Sequence, residues 1–396
     1  MAVFERAEYR ERLAKTKQRM ELAGIDLLIV SEPGNMAYLS GYESTSYYAR
    51  QFVIVSTDDD EPLWVGREWT DGVAAAYTTF MDPSRVIGYP EERLSDPVYG
   101  PMEFVADLVT DRGWDRQRIG MELGGRSLPY ADGARFRARL PNATIVNADA
   151  LVDRVRVVKS DAEITLMREA GRIGDRAMSI GLDAVERGVR QCDVAAKLLA
   201  ALVEGLPEYG GHFPEGLVLT SGEQVSAIHS HWSDRPFRDG ELTNIELGGC
   251  RHGYNVGLTR SVVTGQPSAG LMAREAAYAE AFNVAVELLR PGVTCHDVQA
   301  AFHRVVTGHG FEARPRPSIG YSIGLGFAGL DWTEDAANLG PGDQTVLEPN
   351  MTLHLICPMR LEHGGWGLLF SETFQVIGTG RAESFSTLPR GLTIKA

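Results

Sequence analysis

The chain has 396 residues, 44% of them hydrophobic, which suffices for two compact domains with ordinary cores and excludes a disordered chain. Its net charge of −14, without a long basic run, disfavours nucleic acid and anionic membrane surfaces and leaves a small molecule as the expected ligand. The charged opening MAVFERAEYR is no membrane span, nor does any later stretch reach the roughly 18 apolar residues one needs, so a cytoplasmic protein is expected. Cys192, Cys250, Cys295 and Cys357 lack CxxC pairing and read as reduced, mostly buried thiols.

In chain order, an amphipathic helix is expected over 7–23, with Leu13, Met20 and Leu22 at helical spacing before Gly24. A strand at Asp26 to Ser31 then runs into a turn at Glu32-Pro-Gly-Asn35. Phe52 to Ser56 pairs with Leu63 to Gly66 across the acidic turn Asp58-Asp-Asp-Glu61. Strands at 118–122 and 143–146 and helices at 101–112 and 129–139 complete an α/β domain over 1–155.

The second domain, 156–396, opens on Ser160-Asp-Ala-Glu163, a capping box for a long helix to about Leu182. Strands follow at 216–221, 241–249, 254–264 and 351–356, with helices at 270–289 and 296–308. Gly188-Val-Arg-Gln-Cys-Asp-Val194 is echoed by Gly292-Val-Thr-Cys-His-Asp-Val298, each a turn into a helix. The echo predicts an α+β domain with pseudo-twofold internal duplication and a pocket between its halves.

Read from the residues alone, Glu246 in Asn244-Ile-Glu-Leu-Gly-Gly249 sits in an apolar, glycine-rich strand where a carboxylate needs a reason to be buried. The bland alternative is an ion pair with Arg251 or Arg260. His354 alternates with Leu353 and Leu355 along a strand, which by itself suits a hydrogen-bonded core histidine.

The segments 157–173 and 244–261, the duplicated units, Gly320-Tyr-Ser-Ile-Gly-Leu325, Leu347-Glu-Pro-Asn-Met351 and Ser371-Glu-Thr-Phe374 together resemble the creatinase, prolidase and methionine aminopeptidase superfamily, the pita-bread fold. Members that use metal hold two ions with two Asp, a His and two Glu. In this chain, the resemblance puts Glu246, Gly257 and Tyr321 at the first three positions, and the fourth falls within Leu355-Ile-Cys357. Only Glu372 matches unchanged. Hard divalent cations need several such ligands, so no metal and no cofactor are expected.

Within that superfamily the chain most resembles the ectoine hydrolases, through Phe4 to Tyr9, Gly24 to Val30, Asn35 to Tyr42, Arg67 and the blocks around Glu246, Tyr321, Trp332 and His354. The resemblance implies covalent attack by Glu246 on a cyclic amidine, with His229 and His354 as general acid and base. It implies a substrate-binding set of Tyr321, Glu372, Trp232, Arg67, Tyr47, Tyr48, Asn255 and Cys357. His231, Arg251 and Arg260 are further candidates, the arginines as carboxylate clamps.

It also implies a homodimer, with Tyr47, Tyr48 and Arg50 in a lid over the partner's site. An N-acetyl-2,4-diaminobutyrate product calls in turn for a downstream deacetylase. One departure stands out: ectoine hydrolases follow the central strand with Tyr-His-Cys-Pro-Leu-Ser-Arg, whereas Tyr254-Asn-Val-Gly-Leu-Thr-Arg260 stands here. A creatinase-like amidinohydrolase, a metal-dependent Xaa-Pro dipeptidase and a non-catalytic binding module are the competing expectations.

Overall fold

The structure is a computed structural model that describes residues 2–212, 216–312, 318–327 and 331–395. It divides into two compact units, Met1–Arg156 and Val157–Ala396.

The first unit runs α1 (Arg6–Ala23), β1 (Leu27–Val30), α2 (Pro33–Ser40), β2 (Phe52–Ser56), β3 (Leu63–Arg67), α3 (Asp71–Thr78), β4 (Val86–Tyr89), α4 (Pro101–Asp111), β5 (Arg118–Met121), α5 (Tyr130–Arg139), β6 (Thr144–Asn147) and α6 (Asp153–Arg156). Its six strands form one mixed sheet in the order β4-β3-β2-β1-β5-β6. Leu27, Ile29, Phe52, Ile54, Val65, Val105 and Phe136 build the core between this sheet and its helices. The turn expected at Glu32-Pro-Gly-Asn35 is instead the start of α2. Pro33 occupies the first helical turn, where a missing N–H costs nothing and its fixed φ suits a helix.

The second unit contains α7 (Asp161–Ala184), α8 (Gln191–Glu204), β7 (Leu217–Ser221), β8 (Leu242–Arg251), β9 (Tyr254–Thr264), α9 (Ala269–Leu288), α10 (Cys295–Gly308), β10 (Gly320–Phe327), β11 (Asp331–Asn338), β12 (Thr352–Arg360), β13 (Trp366–Gln375), β14 (Glu383–Ser384) and β15 (Leu392–Lys395). Ser160 caps α7 as its sequence predicts: its hydroxyl accepts from the Glu163 N–H, and the Glu163 carboxylate accepts from the Ser160 N–H. The strands form one sheet ordered β11-β10-β12-β13-β9-β8-β7, with β14 on β13 and β15 on β9. Among the described residues no helix is long and apolar enough to cross a membrane.

The duplicated units have matching backbone hydrogen bonds. Gly188 N–H donates to Phe237 O (3.0 Å), Phe237 N–H to Val189 O (2.9 Å) and Gln191 N–H to Arg235 O (3.1 Å). In the second copy Gly292 N–H donates to Leu347 O (3.0 Å), Leu347 N–H to Val293 O (2.9 Å) and Cys295 N–H to Thr345 O (3.0 Å). Each copy packs its helix pair on the convex side of the sheet, α7 and α8 over one apolar cluster and α9 and α10 over another. The concave face is left to carry chemistry.

The β8–β9 hairpin that bears Glu246 is held against α7 at Gly249. A Cβ built there would lie 1.9 Å from Ala170 O and 2.7 Å from Gly174 N, so the two backbones touch with no room between them. At Gly174, by contrast, an added Cβ meets Gly249 N at an ordinary 3.4 Å. Gly249→Ala is therefore expected to lower unfolding stability by about 3 kcal/mol, with Gly174→Ala changing it by no more than about 1 kcal/mol; urea unfolding midpoints read the difference.

Candidate active site

Residues directly opposite each other on neighbouring strands project to the same face of a sheet. Glu246 faces Thr259, Thr259 faces Ser371 and Ser371 faces Ile356 across β8, β9, β13 and β12. One step along, Gly248 faces Gly257, while Thr373 faces His354 and His354 faces Tyr321. Glu246, Thr259, Ser371, Thr373, His354 and Tyr321 thus share the concave face. The alternate residues Ile245, Leu247, Leu258, Leu353, Leu355 and Phe374 fill the helix-facing cores.

Glu246 and His354 form the centre. The imidazole Nε2 lies 4.0 Å from the Glu246 Oε1, with the histidine side chain fully buried and the glutamate side chain 15% exposed. His354 Nδ1 is 3.2 Å from Thr373 Oγ1. The ring occupies the space a side chain at Gly257 would need: a Cβ there would be 2.7 Å from Cε1 and 2.8 Å from Nδ1.

Tyr321 and Trp332 wall the pair, their rings centred 5.6 and 5.9 Å from the imidazole. The Trp332 indole N–H donates to the Tyr321 hydroxyl at 3.0 Å, which leaves the phenolic proton for another acceptor. Trp332, a marker of the family resemblance but not one of the expected site residues, belongs to the site. Its signal is Gly248, a glycine inside a strand, where a Cβ would sit 2.4 Å from the indole.

Other candidates lie elsewhere. Glu372 is on the opposite face from Glu246, because Ser371 and Thr373 take the cavity-facing positions of β13. Its carboxylate is bound by Arg260, by Arg390 at 2.9 Å and by the Ser384 hydroxyl at 3.1 Å. The expectation of a cavity-facing Glu372 is thereby corrected. Arg260 is spent in the same way. Besides Glu372 it donates to the carbonyls of Thr259, Ser371, Leu388 and Pro389, and burial pulls its pKa down. Arg251 pairs with Glu169 at 2.8 Å.

Cys357 also faces the helices. Its thiol lies 3.5 Å from Tyr278 O, and burial raises its pKa well above the ordinary value, which makes it an inert core group rather than a substrate contact. Asn255 is buried with its amide donating to Gly253 O and Gly326 O, a tie between the hairpin tip and β10.

His229 and His231 are exposed in the segment after β7, and Trp232 is half-buried against the α7–α8 core. No hydrogen bond, ion pair or ring contact joins His229 to Glu246 or His354 among the described residues. In the first unit Arg67 is held by Asp71 at 2.6 Å and by the Tyr48 hydroxyl at 3.3 Å. The Tyr47 hydroxyl there accepts from the Ser44 N–H, and burial raises its pKa.

A two-domain chain of this topology, with a duplicated half-domain behind one sheet, is the architecture shared by the proteins it resembles. Residues 165–377 match metallopeptidase family M24 and residues 12–158 match the creatinase/prolidase N-terminal domain. The chain belongs to family M24. It is 33% identical to the ectoine hydrolase of Halomonas elongata, covering 99% of this chain and 98% of that one. It is 35% identical, with the same coverage, to an uncharacterized hydrolase/peptidase, y4tM, of Sinorhizobium fredii. Among solved structures, the dipeptidase PepE of Mycobacterium ulcerans superposes with a TM-score of 0.81 over 99% of both chains at 22% identity, a likeness of fold.

The family name implies metal, and the donor set in this chain does not fit a two-metal centre. Gly257 offers no oxygen and its space is filled by imidazole, Tyr321 is engaged by an indole N–H, and Glu372 is turned away and neutralised by two arginines. Among the described residues no group of three or more His, Cys, Asp or Glu is placed to hold an ion.

Two outcomes follow from this geometry. Glu372→Gln, which strips a fully buried arginine of its counter-charge, is expected to cost about 3 kcal/mol or more in urea unfolding. Gly257→Asp is expected to displace the His354 ring and abolish turnover without creating metal binding, as read by activity and by isothermal titration with Mn²⁺.

Proposed function

We propose that the protein is a metal-independent hydrolase that opens a cyclic amidine, with ectoine or hydroxyectoine as substrate and N-acetyl-2,4-diaminobutyrate, or its hydroxy form, as product. The observation that carries the reading is the Glu246 carboxylate facing the His354 imidazole on a face screened by Tyr321 and Trp332. The 33% identity to an ectoine hydrolase over nearly the whole chain supports the choice of ring.

An amidinium carbon between two nitrogens is electron-poor, and its positive charge favours an ionised neighbour. A Glu246 oxygen adds to that carbon, giving a tetrahedral adduct. The C–N bond to one ring nitrogen then breaks as His354 delivers a proton to the leaving amine. What remains is an acyl-imidate ester of Glu246. Water, deprotonated by the now neutral His354, adds to the same carbon; collapse expels the carboxylate and passes the remaining proton to the freed amine, leaving the acetamide and an ammonium group. One water is consumed, Glu246 is regenerated and His354 is again protonated for the next cycle.

His354 serves both proton steps in this scheme, since among the described residues it is the histidine set against Glu246, whereas His229 is exposed. In the proposed homodimer, the first unit of a second copy supplies Tyr47, Tyr48 and Arg50 as the lid, with Arg67 as the candidate carboxylate clamp. The protein is read as cytoplasmic, with a deacetylase acting next on the product. A second reading, a creatinase-like amidinohydrolase, is favoured by one observation. Asn255, Val256 and Gly257 replace the family's His-Cys-Pro run beside the His354 ring, and on this reading the substrate differs from ectoine in the group that reaches this corner.

Chelator-treated protein is expected to convert ectoine or hydroxyectoine, followed by proton NMR, and not a proline dipeptide. Dipeptide cleavage restored by metal, with no turnover of ectoine, hydroxyectoine or creatine, would overturn the reading. Silence on every substrate would instead favour a binding module. Glu246→Gln is expected to lower kcat by roughly 10³-fold or more and His354→Gln by about 10²–10⁴-fold.

A further inference from the structure

Thr373 of β13 stands opposite His354 of β12 and makes two hydrogen bonds that constrain each other. Its hydroxyl lies 3.0 Å from Gly257 O and 3.2 Å from His354 Nδ1. A carbonyl oxygen only accepts, so the single hydroxyl proton is committed to Gly257. The contact with His354 therefore has the threonine oxygen as acceptor and the ring as donor. Only an imidazole protonated at Nδ1 satisfies both bonds together.

We propose that Thr373 is a positioning residue that fixes neutral His354 as its Nδ1–H tautomer, so that the unprotonated nitrogen is Nε2, the one directed at Glu246. Three features of the site support a fixed arrangement. Thr373 is β-branched on a buried strand, which restricts its side chain, and it is 1% exposed. The acceptor Gly257 O belongs to the residue whose missing side chain admits the ring, so the same backbone position both makes room for His354 and anchors the group that orients it. The ring itself packs among Tyr321, Trp332 and the β9 backbone at Gly257.

The consequence is directional. When His354 is protonated the added proton sits on Nε2, on the Glu246 side where substrate is bound, and not on Nδ1, where it would be lost into the sheet. A proton taken from water returns to the same nitrogen. This role rests on the proposed use of His354 as the acid and base of the reaction; the tautomer itself does not, and it can be observed without substrate.

The test is ¹⁵N–¹H NMR of the full-length protein labelled at histidine, recorded above the pH at which the His354 ring titrates and assigned by the loss of signals in His354→Gln. The expected spectrum has a proton on Nδ1 and a pyridine-type Nε2. Thr373→Ser is expected to keep that pattern, and Thr373→Val to lose it, with kcat on the best substrate falling roughly 10–100-fold and KM little changed. A proton on Nε2 in the unaltered protein, or an Nδ1–H form that persists in Thr373→Val, overturns the proposal. Should His354→Gln keep full turnover, the acid–base reading fails, while the wild-type spectrum still decides the tautomer.

Discussion

The β8–β9 hairpin works because Gly248, Gly249 and Gly257 have no side chain. Gly249 lets the backbone of α7 meet the convex face of the hairpin, with Ala170 O in the space a Cβ would take. Gly248, one residue earlier and on the other face, admits the Trp332 indole, and Gly257 across from it admits the His354 imidazole. The first contact fixes the strand that carries Glu246 to its supporting helix. The other two bring an aromatic ring and an imidazole to within reach of that carboxylate. Interiors packed to crystal density accept no extra methyl groups at such points, so the site is set by close approach as much as by its polar atoms.

Strand alternation then sorts the remaining polar residues into two groups with different duties. On the concave face, Glu246, Thr259, Ser371, Thr373, His354 and Tyr321 lie where a ligand can be handled. On the convex face, where burial is against helices, Glu372 is paired with both Arg260 and Arg390, and every remaining Arg260 donor contact goes to a backbone carbonyl. A buried ion pair adds little net stability against a well-packed apolar pair, yet breaking one is costly. Its effect here is to pin the C-terminal segment at Leu388 to Arg390 onto β9, the central strand that pairs with β8, β13 and β15.

The amino-acid sequence disclosed most of the architecture, because the signals were local. The capping box at Ser160, the alternation along β8 and β9 and the two glycine-led turns into α8 and α10 each depend on a few neighbouring residues. Glu246 and His354 were legible as a carboxylate and an imidazole on glycine-rich or apolar strands. Glu372 was misread because a motif match carries a tolerance of one residue, whereas a strand carries none: a shift by one changes the face. Cys357 was misplaced for the same reason. Trp332 was legible as part of the resemblance but not as a wall of the site, because its partner, Gly248, is distant in sequence, and the Thr373 contact was missed because a hydroxyl's role depends on which acceptors the fold brings to it.

The relation between positions 257 and 354 explains why such a site is hard to interconvert with a metal centre. At the position of Gly257 the superfamily's metal-binding members carry an aspartate, which needs the volume that the imidazole fills here. Adding the aspartate alone puts a carboxylate into a ring. Removing the histidine alone leaves a gap beside Gly257 and a threonine hydroxyl with only its carbonyl partner. Both single steps are unfavourable for steric and hydrogen-bonding reasons, so the two positions are energetically coupled in the sense a double-mutant cycle measures. The same fold that superposes on a dipeptidase across nearly its full length can therefore keep its strands and helices while this face of the sheet is organised around a carboxylate and an imidazole.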